Sequence, residues 1–140
     1  MTLPETVVDS SVVVKWFFPE SSRQEALRLL RLDREDQIKL IAPALLVAEV
    51  ANVFSKRARR GLATASAVMD AYRLLKINAP LLVDDRLLQD EALALSVASG
   101  QTVYDCLYLA LALQRGCDLI TADLKFHSAV SSKFPSVLHL

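Results

Sequence analysis

Four acidic side chains in this sequence stand where a carboxylate needs a reason. Asp9 directly follows Thr6-Val7-Val8 and Asp123 follows Leu119-Ile120-Thr121-Ala122, so each ends an apolar, strand-like run. Glu49 interrupts PALLVAEVANVF, residues 43–54, a stretch otherwise almost wholly apolar. Asp105 opens Asp-Cys-Leu-Tyr-Leu-Ala-Leu-Ala-Leu, which as a helix is apolar around its whole circumference. An unpaired buried carboxylate costs several kcal/mol or takes up a proton. Converging carboxylates would repel one another unless a divalent cation held them, and hard oxygen donors favour Mg2+ or Mn2+. An all-carboxylate site with open coordination positions suits phosphodiester hydrolysis. The ion activates a water, lines it up against phosphorus and neutralises charge on the departing oxygen.

Each acid also has a purely structural account. Asp is common after strands as a turn residue or helix N-cap. Thr102-Val-Tyr-Asp105 has capping-box spacing, in which the fourth residue reaches back to the N-cap amide. If Asp105 instead points inward, the positive end of its helix dipole helps keep it ionised. Glu49 is a good helix former, and with Asn52 one turn on it can occupy a single exposed stripe. Read from its own helix alone, that account is the simpler one.

The elements that would position these acids follow from periodicity. Short apolar runs at Thr6–Val8, Ile38–Ala42, Leu81–Val83, Asp118–Thr121 and Val137–Leu140 predict strands. Helical patterns cover Ser22–Leu32, Ala44–Arg60, Thr64–Lys76, Asp85–Ala98, Thr102–Arg115 and Leu124–Val130, with a shorter turn over Val12–Phe17. Pro43 suits a first helical position. Gly61, Gly100 and Gly116 each follow a helical segment and predict its C-terminal stop. Alternating strands and helices imply an α/β fold with a mainly parallel sheet covered on both faces. In such sheets ligands bind beyond the carboxyl ends of the strands, where Asp9 and Asp123 should emerge.

Composition narrows the function classes. The 140 residues, 53% of them hydrophobic, predict one domain over 1–140 with a single core. Sixteen basic residues balance sixteen acidic ones, so any charged partner must be recognised locally. Cys106 and Cys117 are too few and too far apart for a zinc motif or disulfide framework, which favours a reducing, cytoplasmic setting. No run approaches the length of a membrane span, and the N-terminus lacks a signal-peptide pattern, so a soluble protein is expected.

Taken in order, Val-Val-Asp9-Ser10-Ser-Val-Val-Val-Lys15-Trp16-Phe, Leu-Leu-Val-Ala-Glu49-Val-Ala-Asn52, Thr102-Val-Tyr-Asp105-Cys106-Leu-Tyr-Leu-Ala and Leu-Ile-Thr121-Ala-Asp123-Leu-Lys-Phe126 resemble the PIN-domain family, specifically its VapC type from type II toxin–antitoxin pairs. These pieces span nearly the whole chain. The resemblance implies a three-layer α/β/α fold and a metal-dependent ribonuclease using Mg2+ or Mn2+, with Asp9, Glu49, Asp105 and Asp123 as its acidic quartet. It also implies support of that quartet by Thr121, Ser10 and Asn52, an RNA substrate, silencing by an antitoxin protein, and a homodimer. Ser10 and Cys106 stand where related proteins often have Ala, and neither change removes an acid.

Competing constellations are weaker. Asp9-Ser-Ser lacks the second acid two residues on that a haloacid-dehalogenase-like phosphatase needs. Asp84-Asp85 reads as a helix start rather than a further ligand pair, and His127 and His139 as surface or edge residues. Lys56, Arg57, Arg59 and Arg60 form the one dense basic run, at the end of the helix bearing Glu49, where cations complement the dipole or contact RNA phosphates. Lys15 and Trp16 are further candidates for holding a strand, with Trp16 equally suited to the core. Phe17, Phe18, Val68, Met69, Tyr72 and Leu75 make an apolar surplus that predicts a homodimer. Two alternatives to a toxin remain: a non-catalytic binding scaffold, and a housekeeping nuclease without an antitoxin.

Overall fold

The computed structural model describes residues 2–140. The apolar runs become β1 (Glu5–Val8), β2 (Lys39–Pro43), β3 (Leu81–Val83), β4 (Asp118–Thr121) and β5 (Val137–His139). They form one sheet in the order β3-β2-β1-β4-β5, and every pairing is parallel. The sheet is thus wholly rather than mainly parallel. Between the strands lie α1 (Ser10–Val13), α2 (Arg23–Arg34), α3 (Leu45–Arg59), α4 (Ala65–Asn78), α5 (Gln89–Ser99), α6 (Val103–Arg115) and α7 (Leu124–Val130). Single 3-10 turns at Val14–Trp16 and Asp85–Leu87 complete the set.

β1 is central, with β2 and β3 added on one side and β4 and β5 on the other. Right-handed crossovers running in opposite directions put the helices of the two halves on opposite faces, which gives the three-layer α/β/α sandwich. Sequence predicts a continuous helix from Asp85. The structure breaks it after one 3-10 turn, because Asp84 turns back to accept from the Arg86 amide at 2.9 Å. The three glycines end α3, α5 and α6 or follow their ends with φ of +71°, +75° and +61°, the left-handed region where a Cβ is disfavoured.

The core centres on Val7, Val8, Ile41, Ala42 and Leu119 of the inner strands, packed against α6, whose residues Cys106 to Ala112 are all buried. That is why α6 carries apolar side chains on every side. Trp16 belongs to this interior, 5% exposed, and its indole N–H donates to the Ala26 carbonyl at 2.8 Å.

Candidate active site

Chain direction places the acids before any side-chain detail. In a parallel sheet a helix that follows a strand starts at the carboxyl edge, and so does a helix that runs back toward the start of the next strand. α1 follows β1, α3 follows β2, α6 precedes β4 and α7 follows β4. Asp9 and Asp123 cap two of these helices, Asp105 lies in the first turn of α6 and Glu49 just past the first turn of α3, so all lie toward one edge. Asp9 and Asp123 flank the point where strand order reverses between β1 and β4, where open α/β sheets bind ligands.

Asp9 is the N-cap of α1. Its Oδ1 accepts from the Ser11 amide at 3.1 Å and also from the Ser11 hydroxyl. Ser11 Oγ in turn accepts from the Ala122 amide at 2.8 Å and stands 3.4 Å from Thr121 Oγ1. One hydroxyl thus joins the end of β1 to the end of β4 and fixes one carboxylate oxygen. Thr121 is fully buried, and its hydroxyl oxygen accepts from the Asp123 amide at 3.0 Å. Burial raises the Asp9 pKa from 3.8 to about 6, despite the opposing hydrogen bonds from Ser11 and Thr121, and the Asp105 charge adds to the rise.

Glu49 lies beside buried Leu46 and Val50 on α3, and it is half-buried rather than on a fully exposed stripe. The hydroxyl of Tyr108 donates to its Oε1 at 2.6 Å, tying α3 to α6. Tyr108 is 2% exposed, so this bond satisfies a hydroxyl that would otherwise be orphaned in the core. Burial is the main cause that raises the Glu49 pKa, followed by the Asp105 charge against the hydrogen bond from Tyr108. The Tyr108 phenol is pushed well above its ordinary value by burial and by the adjacent Glu49 charge, so it stays a donor. Ser10 lies beside Glu49 and Tyr108. The two serines therefore divide the work, Ser11 on Asp9 and Ser10 on Glu49.

Asp105 sits between the others electrostatically, since its charge raises both Asp9 and Glu49 and is itself raised by Asp123. Thr102 caps α6 by accepting from the Asp105 amide at 3.1 Å. The net direction for Asp105 is upward, because burial and the Asp123 charge outweigh the Thr102 hydroxyl. Asp123 is the most exposed of the four, and its Oδ1 caps α7 by accepting from the Phe126 amide at 3.1 Å.

No three His, Cys, Asp or Glu side chains among the described residues are placed to grip one ion together. Three acids that gain proton affinity through burial and mutual charge nonetheless lack positive charge, and they offer only oxygen donors. That donor set fits a hydrated Mg2+ or Mn2+, which takes one or two carboxylates directly and the rest through water.

The remaining candidates separate. Asn52 is exposed, three residues after Glu49 on α3. Lys56, Arg59 and Arg60 are exposed at the end of α3, while Arg57 is partly covered. Lys15 is 8% exposed, with its ammonium donating to the Ser21 carbonyl at 2.7 Å. Asp84 starts a 3-10 turn as expected, but Asp85 does something the sequence does not announce: its Oδ1 accepts from the Leu45 amide at 3.1 Å. It thereby caps α3, whose own N-cap residue, Ala44, has no side-chain acceptor. His127 and His139 stack edge to face at 5.7 Å. The apolar surplus assigned to a dimer surface needs correcting, because Leu75, Val68 and Phe18 are buried within the chain. Met69 is exposed as expected, and further exposed apolar side chains include Leu74, Ile77, Leu87, Leu93 and Val97.

Ser11 and Tyr108 are the site residues that sequence reasoning missed. Tyr108 had a signal, since it falls three residues after Asp105 on a wholly buried helix where a phenol needs a partner. Ser11 had none, because its partners on β4 are distant in sequence.

Comparison with known proteins agrees with this fold. The model of the PIN domain matches residues 6–130. Ribonuclease VapC3 of Pyrobaculum aerophilum is 34% identical over 139 residues, covering 94% of this chain and 96% of that protein. The crystal structure of PAE2754 from Pyrobaculum aerophilum superposes with a TM-score of 0.71 at 23% identity, over 99% of this chain and 92% of that one. That of Mycobacterium tuberculosis VapC20, a toxin that cleaves the sarcin-ricin loop, gives 0.62 at 16% identity over 89% and 94%. The chain belongs to the PIN-domain family, on its VapC-like side.

Proposed function

We propose that this protein is a Mg2+- or Mn2+-dependent endoribonuclease, the toxin of a type II toxin–antitoxin pair. The observation that carries the reading is the shared electrostatics of Asp9, Glu49 and Asp105, three carboxylates at one sheet edge whose proton affinity is raised by burial and by one another. A divalent cation held there supplies a water activated for attack on phosphorus and neutralises charge on the leaving oxygen. The chain's own part is positional. Ser11 fixes one oxygen of Asp9 and Tyr108 one oxygen of Glu49, which orients both carboxylates for a ligand. Asp105 and Asp123 extend the negative rim toward solvent, and Thr121 holds the backbone that carries Asp123.

Lys56, Arg57, Arg59 and Arg60 supply phosphate contacts that bind RNA without reading its sequence. An antitoxin partner, a homodimer and a cytoplasmic setting belong to the same reading. No helix of the described residues is long and apolar enough to cross a membrane. All four acids are retained, so no observation favours a non-catalytic scaffold. The test is calorimetric titration of metal-free protein with Mn2+, paired with cleavage of a structured RNA. Saturable Mn2+ binding and Mn2+-dependent cleavage, both lost in Asp105→Asn, are expected; cleavage that persists in EDTA would overturn the reading.

A further inference from the structure

Beside the acidic group lies a small cluster of opposite sign. The Glu20 carboxylate sits 3.8 Å from Lys15 Nζ through one oxygen and 3.8 Å from Arg57 Nη1 through the other. Two cations thus share one anion, and both distances are too long for the direct hydrogen bonds of a well-formed ion pair. Arg57 Nε is buried without any partner. Orphaned guanidinium N–H groups are costly, and they mark a place where an acceptor is missing.

The cations are held in place by other means. Lys15 Nζ donates to the Ser21 carbonyl at 2.7 Å, and the Arg57 guanidinium lies 4.3 Å above the Phe18 ring. Phe18 is in turn packed edge-on against Phe54 at 5.3 Å. Only Glu20, at the exposed turn before α2, is free to swing away. Beside Lys15 and Glu20 is a cavity of about 320 Å³ whose wall also includes Ser10, Ser11 and Ala122. Ser11 is the residue that fixes Asp9 and Ser10 the one beside Glu49, so the cavity runs from the supports of the acidic group to Lys15 and Glu20, and Arg57 joins it through its contact with Glu20.

We infer that Lys15 and Arg57 form a phosphate-binding subsite for the RNA strand next to the cleavage point, and that Glu20 occupies it as an internal stand-in until substrate displaces it. This rests on the ribonuclease reading for the identity of the strand, but not on catalysis. A phosphodiester offers two anionic oxygens where Glu20 offers two at poor range, and being untethered it can close on Lys15 Nζ and Arg57 Nη1 at hydrogen-bond distance. With one charge against two, the subsite is net positive even with Glu20 in place. The adjacent acids repel RNA, so a local cation pair is what a strand needs in order to approach them. The exposed bases Lys56, Arg59 and Arg60 would then add only diffuse attraction.

The test is fluorescence anisotropy of a labelled twelve-nucleotide uridine RNA with the metal-free protein in EDTA, across a salt series, for wild type, Glu20→Gln, Arg57→Gln and Arg73→Gln. Arg73 lies on α4 and pairs with Asp70, so it controls for net charge alone. Glu20→Gln, which removes the competitor, is expected to tighten binding about threefold or more, and Arg57→Gln to weaken it about tenfold while lowering the salt slope by about one. Arg73→Gln should match wild type. Circular dichroism checks that each variant is folded, and Glu20→Gln, at an exposed turn, keeps the test open if Arg57→Gln is not. Equal affinities for wild type and Glu20→Gln, or no RNA binding by wild type, would overturn the inference. If the anisotropy pattern holds while Mn2+ supports no cleavage, the subsite stands and the nuclease reading falls. If cleavage proceeds while Glu20→Gln changes nothing, the reverse is true.

Discussion

Glu49 shows how a single residue can satisfy a structural and a functional requirement at once. Its helix tolerates it because Tyr108 donates to Oε1 at 2.6 Å, yet burial and the Asp105 charge still raise its proton affinity. Glu49→Gln keeps the side-chain shape and the Tyr108 hydrogen bond while removing the charge. In metal-free protein it is expected to leave stability unchanged or raise it, as read by urea unfolding, because it relieves repulsion among the acids. On the proposed function it should weaken Mn2+ binding and lower RNA cleavage by orders of magnitude; wild-type Mn2+ affinity in this variant would remove Glu49 from the site. Tyr108→Phe isolates the positioning hydrogen bond. It should cost about 10- to 100-fold in Mn2+ affinity, as outer partners of metal ligands do, with Glu49 still present. Calorimetry on the folded variant decides this, and an unchanged affinity would make the phenol a core residue and nothing more.

At the scale of elements, the site depends on how helix ends are finished. α1, α6 and α7 are capped by Asp9, Thr102 and Asp123 from their own N-cap positions, and two of those caps are also members of the acidic group. α3 differs, borrowing its cap from Asp85 forty residues away. Asp85→Ala is therefore expected to destabilise the protein by about 1 kcal/mol, the usual loss for an N-cap acceptor, measured as a lower urea midpoint at constant m-value. Asp85 also adds to the charge that raises Glu49. The same substitution should then ease ionisation of Glu49, whose side-chain carboxyl resonance in NMR would titrate at lower pH than in wild type. Sequence patterning placed α3, α6 and α7 within a residue or two, while the turn read over Val12–Phe17 is in fact α1 from Ser10 followed by a 3-10 turn to Trp16. It could not show that Asp85 serves α3, because the contact exists only once β3 lies beside β2.

Taken whole, the molecule stores repulsion at one edge of its sheet. Asp9 holds its proton up to about pH 6 when folded, against an ordinary 3.8. Between those values the folded state binds more protons than the unfolded one, so stability is full below about pH 4 and is lost as pH rises through about 6. The loss is on the order of 3 kcal/mol for Asp9, and Glu49 and Asp105, raised in the same direction, add to it. Thermal unfolding of metal-free protein should therefore show a lower Tm at pH 7.5 than at pH 5.5. Asp9→Asn should flatten that difference, and a profile equally steep in Asp9→Asn would place the pH response elsewhere. Millimolar Mg2+ should restore stability at the higher pH by mass action on the folded state. Assembly belongs to this scale as well. Light scattering behind size exclusion is expected to report a dimer at micromolar concentration, buried through the exposed Leu74, Ile77, Leu87, Leu93 and Val97 rather than through Leu75 or Val68.

The strand and helix order was legible in the amino-acid sequence because period and punctuation are local properties. Val and Ile runs too short for helices, glycines at helix ends and an all-apolar α6 leave little freedom in the α/β alternation. That Asp9 and Asp123 emerge at the carboxyl edge follows from the same order. Only the tertiary structure decided which groups meet. Tyr108 reaches Glu49 across 59 positions and Ser11 reaches Ala122 across 111. It also decided the balance at Asp105, where the local Thr102 hydroxyl favours charge but burial, a property of the whole packed edge, outweighs it. Local interactions are written along the chain; desolvation and pairing between distant elements arise only when the chain has closed around them.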